Sequence, residues 1–269
     1  MSRFVATVLA NEEIMPATHV LTIDAGARAR NAAPGQFLHI RCGGPGQILL
    51  RRPMSIYRSE GEALQLMIRN VGKGSSWLTS RPPGEELDCL GPQGHGFQLD
   101  GKAGHLLMVG GGYGVAPLVG LAERALRRGG SVTLAVGAAT ADLVFPVRLL
   151  PAEIEYLVAT DDGSAGHHGR VTELLPDRLD WADAIYACGP VAMMAALAAL
   201  VRNEGKSPRT QIAMEERMGC SMGVCLGCVV ETTKGPKRVC TDGPVFDIGQ
   251  IVWREPPPTA LVGAQNGHL

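Results

Sequence analysis

The sequence predicts a multi-domain chain: an N-terminal antiparallel β-barrel (1–100), an α/β nucleotide-binding domain with a parallel sheet (101–210), a small cysteine-organised domain (211–250) and a tail (251–269). Three observations predict it. Short β-rich runs fill the first hundred residues. Near Gly101 the pattern changes to strands alternating with helices, which argues for an open parallel sheet. Four of the chain's seven cysteines then fall between residues 220 and 240.

Composition bounds the rest. At roughly 100–200 residues per domain, 269 residues suggest two domains and an appendage. Apolar residues make up 45%, enough for real cores. A formal net charge of −1 gives no basic footprint for nucleic acid and no polybasic membrane patch. The start, "MSRFVATVLANEEIM", carries acidic residues where an export signal keeps an apolar run. The longest apolar run, "VAMMAALAALV" (191–201), is too short for a bilayer, which takes about 20 residues. The expectation is a cytoplasmic protein with reduced thiols and no membrane or nucleic-acid partner.

In order along the chain, "FVATVLANEEIM", "HVLTIDA", "GQFLHIRC", "RPMSIYR" and "ALQLMIRNV" read as strands set off by Gly, Pro or charges. Leu64, Leu66 and Ile68 alternate with Gln65, Met67 and Arg69, a period of two with one face inward. Several such strands at short spacing favour a barrel or sandwich. "RRPMSIYR" (51–58) puts two arginines and a proline into a strand-like run. Arginine can pair a phosphate through two parallel hydrogen bonds, and Ser55 can donate to a ring or ribitol oxygen. "RNVGKGSSW" (69–77) places Gly74 and Ser75 before a helix. Taken singly, each fits a solvated strand or an ordinary loop as well. Cys42 and Cys89 read as small buried hydrophobes.

"HLLMVGGGYGVAPLVGLAERALRR" is a strand, a glycine turn and a helix. Gly110, Gly111, Gly112 and Gly114 let the backbone approach a pyrophosphate, and Pro117 suits the first helical turn. The spacing departs from G-x-G-x-x-G, so its strand–turn–helix setting carries the reading. "SVTLAVGA" ends without an acidic residue, and Asp142 comes later, so NAD is not separated from NADP. "EIEYLVATDDG" and "DAIYACGP" are further strands. The latter ends on Cys188, Gly189 and Pro190, a sharp turn where ligands sit in open α/β folds, ahead of the helical "VAMMAALAALVRNEG".

The cysteine spacing is Cys220-x4-Cys225-x2-Cys228-x11-Cys240. It matches the plant-type [2Fe–2S] pattern. Zinc sites usually draw two close pairs, and Cys228 with Cys240 is too open for one. A disulfide pair is the remaining alternative. Gly219, Gly223 and Gly227 thin the loop so that N–H groups can face the sulfurs.

"RRPMSIYR", "GKGS", "GPQGHGF", "GGGYGVAPL", "TDDGSAGHHGRVT", "ACGP" and "ERMGCSMGVCLGC…VCTDGPVF" together resemble the electron-transfer subunit of type B dihydroorotate dehydrogenase, within the ferredoxin-reductase-like group. The resemblance runs to Phe246, and its cysteine signature is the most specific part. It implies an FAD-binding barrel, an NAD-binding α/β domain and a C-terminal [2Fe–2S] domain. It implies FAD contacts at Arg52, Pro53, Met54 and Ser55, at Met67, Ile68 and Arg69, and at Gly74 and Ser75, with NAD near Cys188. Met54 stands where a branched aliphatic residue is usual, and Tyr113 where Ile is. The implied partner is an FMN-containing catalytic subunit in a heterotetramer. That subunit oxidises dihydroorotate in pyrimidine biosynthesis, and this chain delivers the electrons to NAD+. The chain itself presents no general base; His95, His105, His167 and His168 read as surface or loop residues. Two alternatives remain open: a diaphorase subunit of a hydrogenase or ferredoxin–NAD(P) transhydrogenase, and a zinc-stabilised binding module without redox chemistry.

Overall fold

A computed structural model describes residues 2–44, 46–99, 101, 104–203 and 208–253, so the expected tail lies outside them from residue 254. Six strands come first: β1 (Arg3–Met15), β2 (Thr18–Asp24), β3 (Phe37–Ile40), β4 (Arg52–Glu60), β5 (Ala63–Arg69) and β6 (Glu86–Gln93). They close an antiparallel barrel in the order β1-β2-β5-β4-β3-β6. Short helices α1 (Ala27–Arg30) and α2 (Lys73–Thr79) cover connections. The period of two in β5 holds: Leu64, Leu66 and Ile68 lie inside with Leu21, Ile23, Leu38, Ile40 and Leu87. Each such side chain contributes about 1.5–3 kcal/mol on burial. Cys42 and Cys89 are fully buried, and burial pushes their thiols up to about 11 and about 12.

The outward face of β5 is not left to water. Met67 is buried too, in an apolar cluster with Tyr57, Val115 and Leu118. The second half of the chain supplies that cover. It contains β7 (His105–Gly111), a 3₁₀ turn at Gly112–Val115, α3 (Ala116–Leu126), β8 (Ser131–Ala138), β9 (Glu155–Thr160) and β10 (His167–His168). Then follow α4 (Pro176–Leu179), β11 (Ala184–Cys188), α5 (Val191–Asn203) and β12 (Arg209–Ala213). Pro117 lies in the first turn of α3, where its missing N–H costs nothing.

The last strands are β13 (Val229–Val230), β14 (Lys237–Arg238) and β15 (Val245–Asp247). The main sheet runs β10-β9-β8-β7-β11-β12-β15. It is parallel except for β15, which pairs antiparallel with β12. Thus β12 straddles the expected junction at 210/211, and β15 adds the cysteine segment's own strand to the sheet.

Helix α3 ties barrel to sheet. A Cβ on Gly120 would sit 2.5 Å from the Tyr57 carbonyl oxygen, so glycine lets the helix lie directly on β4. Beside it, Arg58 Nε donates to Glu123 Oε1 at 2.6 Å, and the same guanidinium donates to the Leu149 carbonyl. A single apolar cluster joins all parts: Phe37 of the barrel, Leu107, Ile185 and Ile212 of the sheet, Leu197 of α5, and Met218, Cys228, Val239 and Cys240 of the cysteine segment.

Candidate functional site

The two arginines of "RRPMSIYR" have different fates. Arg51 is consumed by the barrel wall: it donates to Asp88 Oδ2 at 2.8 Å and to the Asp88 carbonyl at 2.7 Å. Arg52 folds over α2. Its Nε lies 2.6 Å from where a Cβ on Gly74 would stand, so glycine there admits the guanidinium. Arg52 also donates to the Leu50 carbonyl at 2.7 Å. The hydroxyl of Ser75 caps α2, accepting from Val71 and Gly72 N–H and donating to the Gly72 carbonyl. Arg52 is therefore brought onto Gly74 and its neighbour Ser75, more than 20 positions away in sequence. Pro53 and Ser55 stand opposite His39 and Phe37, while Met54 leans on the barrel core. The side chain of Ile68 is inside the barrel, and the residue stands opposite His19 of β2 in the ladder.

The glycine turn and the "ACGP" turn meet at the carboxyl ends of adjacent strands β7 and β11. The strand order reverses between them, the place where open α/β sheets take ligands. A Cβ on Gly111 would stand 2.6 Å from Pro190 Cδ, and one on Gly114 would overlap the Cys188 carbonyl oxygen. Gly189 packs against Gly111 in turn. The result is a cradle of bare backbone, of the kind that lets a pyrophosphate approach N–H groups. Gly110, the penultimate residue of β7, packs against Val115. Gly112, at φ +55°, sits in the left-handed region that glycine enters freely.

Sequence reasoning missed Glu215, which follows β12. Its Oε1 lies 3.9 Å from the buried Cys188 Sγ. Although Glu215 is partly open to solvent, the crevice walls withdraw water from its carboxyl and raise its pKa, against the Cys188 contact. Burial, then Glu215, pushes the Cys188 thiol well above its ordinary range. Half-exposed Tyr113 stands near both; Glu215 and burial raise its phenol while Arg69 opposes them. Arg69 and Tyr113 thus bring the end of β5 to the glycine turn. The cysteine motif as read, "ERMGC", begins one residue after Glu215, so no sequence signal reached it. The four histidines lie apart from this crevice: His95, His105 and His168 are exposed, and His167 pairs with Glu173.

The cysteine loop folds its sulfurs into two pairs, Cys220 with Cys225 and Cys228 with Cys240. The N–H groups of Met222 and Cys225 donate to Cys220 Sγ at 3.3 and 3.4 Å. Partial burial works against ionisation of Cys220, but those donors prevail and bring the thiol down to about 6. Cys240, buried and beside Cys228, is pushed up to about 11. Gly219 and Gly227 crowd Cys225: added Cβ atoms would meet its sulfur at 3.4 and 3.5 Å. Ser221, Gly223 and Leu226 take positive φ, which winds the loop tightly. Among the described residues, no three His, Cys, Asp or Glu side chains converge as on one bound ion. Four thiols in two pairs, with N–H donors at Cys220, fit the kind of donor set that a two-iron cluster takes.

Residues 215–252 match the family model of the iron–sulfur cluster binding domain of dihydroorotate dehydrogenase B. The dihydroorotate dehydrogenase B (NAD(+)) electron transfer subunit of Geobacillus thermodenitrificans (strain NG80-2) is 40% identical over 253 residues, 91% of this chain and 97% of that protein. Its counterpart in Desulforamulus reducens is 39% identical over 260 residues, covering 93% and 98%. Among solved structures, an NADH-dependent reduced ferredoxin-NADP oxidoreductase, studied for flavin-based electron bifurcation, superposes with a TM-score of 0.81. It is 27% identical and covers 92% of this chain and 90% of its own. Barrel, parallel sheet and cysteine segment define a ferredoxin-reductase-like redox protein. The chain belongs to the family of dihydroorotate dehydrogenase B electron transfer subunits.

Proposed function

We propose that this chain takes electrons from a separate, FMN-containing subunit that oxidises dihydroorotate and delivers them to NAD+, within a heterotetramer of pyrimidine biosynthesis. It is thus an NAD-linked oxidoreductase subunit of the cytoplasm. The carrying observation is the meeting of its three parts at Phe37, where the outer face of β3, the sheet and the cysteine segment share one apolar cluster. Such an arrangement keeps three redox sites at close and constant range.

Arg52, Pro53, Met54, Ser55, Met67, Ile68, Arg69, Gly74 and Ser75 would hold FAD. Arg52 supplies a fixed cation for its phosphates, and Ser55 a hydroxyl beside its ring. Gly110, Gly111, Gly112, Gly114, Cys188, Gly189 and Pro190 would hold NAD by offering backbone without side chains. Cys220, Cys225, Cys228 and Cys240 would hold [2Fe–2S]. A flavin exchanges electron pairs with a nicotinamide and single electrons with a cluster, so it stands between them. Cys188, buried at the floor of the crevice, directs its thiol at the Glu215 carboxylate. We assign 1–100, 101–210 and 211–250 to the three sites as domains, with β12 continuous across the second junction.

The test uses two variants of the anaerobically isolated protein. Cys225→Ser is expected to lose iron and labile sulfide while NADH still reduces bound FAD. Arg52→Ala is expected to lose FAD. Full flavin occupancy in Arg52→Ala, or an intact iron signal in Cys225→Ser, refutes the corresponding site. The likeness to the ferredoxin-NADP oxidoreductase supports a second reading, a ferredoxin-linked partner. Copurification decides between them: orotate-forming flavoprotein supports the first, a multi-cluster protein the second.

A further inference from the structure

We propose that His39 is a positioning residue for the iron–sulfur loop: its buried imidazole anchors the lead-in to Cys220 against the strand that carries the flavin motif. The inference rests on the cysteine loop being the cluster site.

Alternation along β3 sends Leu38 and Ile40 into the barrel core and Phe37 and His39 outward. The register with β4 sets Phe37 opposite Ser55 and His39 opposite Pro53. His39 therefore stands on the face that carries two residues of the flavin motif. That face is covered by the cysteine segment, since Phe37 shares its cluster with Met218, Cys228, Val239 and Cys240.

His39 is fully buried, yet neither Nδ1 nor Nε2 has a hydrogen-bond partner. Burial first, then the Arg51 charge, brings its pKa down to about 4, so at neutral pH the ring is uncharged and carries one N–H. The backbones of Arg51 and Met218 lie close enough to favour the protonated ring slightly, yet neither meets the geometry of a closed hydrogen bond. Arg51 is already committed to Asp88. Met218 lies two residues before Cys220. An apolar side chain would fill a dry packing position at lower cost than an unpartnered imidazole. The ring is accounted for when the loop tightens on iron and the Met218 carbonyl comes within reach of its N–H. The bond would hold the backbone two residues ahead of Cys220, as outer partners hold metal ligands elsewhere.

The experiment compares His39→Phe and His39→Gln with the native holoprotein. Three quantities are read: the rate of iron loss to a chelator, the electron paramagnetic resonance line shape of the dithionite-reduced protein, and FAD occupancy. In His39→Phe, iron loss should rise about 10-fold or more and the line shape should change, with FAD retained. His39→Gln, which restores an N–H donor, should return both towards native. Native iron loss and line shape in His39→Phe overturn the proposal. If His39→Phe does not fold, His39→Met replaces it, and equal iron loss from His39→Met and His39→Gln overturns it. The Cys225→Ser variant separates the two failures. Iron lost from Cys225→Ser but held as in native by His39→Phe sinks only the role of His39. Iron held by Cys225→Ser removes the cluster site and this proposal together.

Discussion

At the scale of single residues, the site works largely by what is missing. Gly111, Gly114 and Gly189 lie so close to Pro190, Cys188 and each other that a methyl group has nowhere to go. A Cβ on Gly111 would press on Pro190 Cδ at 2.6 Å and Met193 Sδ at 2.9 Å. Gly111→Ala is therefore expected to part the two turns and raise KM for NADH about 10-fold or more, because small displacements of a positioned reactant are costly. Steady-state reduction of an artificial acceptor measures it, with FAD and iron contents as controls. An unchanged KM would place the nucleotide elsewhere.

At the scale of elements, the seam of the barrel rests on one carboxylate. Asp88 on β6 takes Arg3 from β1 and Arg51 from the β3–β4 connection, at 3.0 and 2.8 Å. Its partial burial works against ionisation, but the two guanidinium partners hold its pKa below the ordinary range. A depressed folded-state pKa contributes stability above the ordinary value of about 3.9, and that stability is lost as pH falls through the folded value. Acidification from pH 6 towards 3 should therefore lower Tm, and Asp88→Asn should have a lower Tm at pH 6 and a flatter fall. Thermal melts across that range test it; parallel curves for the two proteins would count against the role. Strand β6 was not read from the sequence: Leu87 and Cys89 alternate with Glu86 and Asp88, but Leu90 breaks the alternation and Gly91 and Pro92 fall inside the strand.

At the scale of the molecule, the barrel and the sheet are held together where α3 lies on β4. Gly120 permits the contact, and Arg58 with Glu123 holds it. Gly120→Val drives a branched side chain into the Tyr57 carbonyl and should destabilise the fold by about 1–3 kcal/mol, the usual cost of overpacking. Calorimetry should resolve barrel and sheet melting separately in the variant. A single transition at the native temperature would show that the interface does not depend on this approach.

What the sequence by itself determined was whatever resides in contiguous residues: the alternation in β5, the strand–turn–helix at Gly110–Pro117 and the cysteine spacing from 220 to 240. Those features are local because a strand's two faces, a tight turn and a ligand loop are each set within a few bonds of chain. Only the tertiary structure decided that Arg52 rests on Gly74 while Arg51 goes to Asp88, that Glu215 meets Cys188, that β15 completes the sheet, and that His39 lies beneath Met218. Those pairings join residues 20 to 180 positions apart, and their partners are selected by how the barrel, sheet and loop bury one another's apolar faces, which no local pattern encodes.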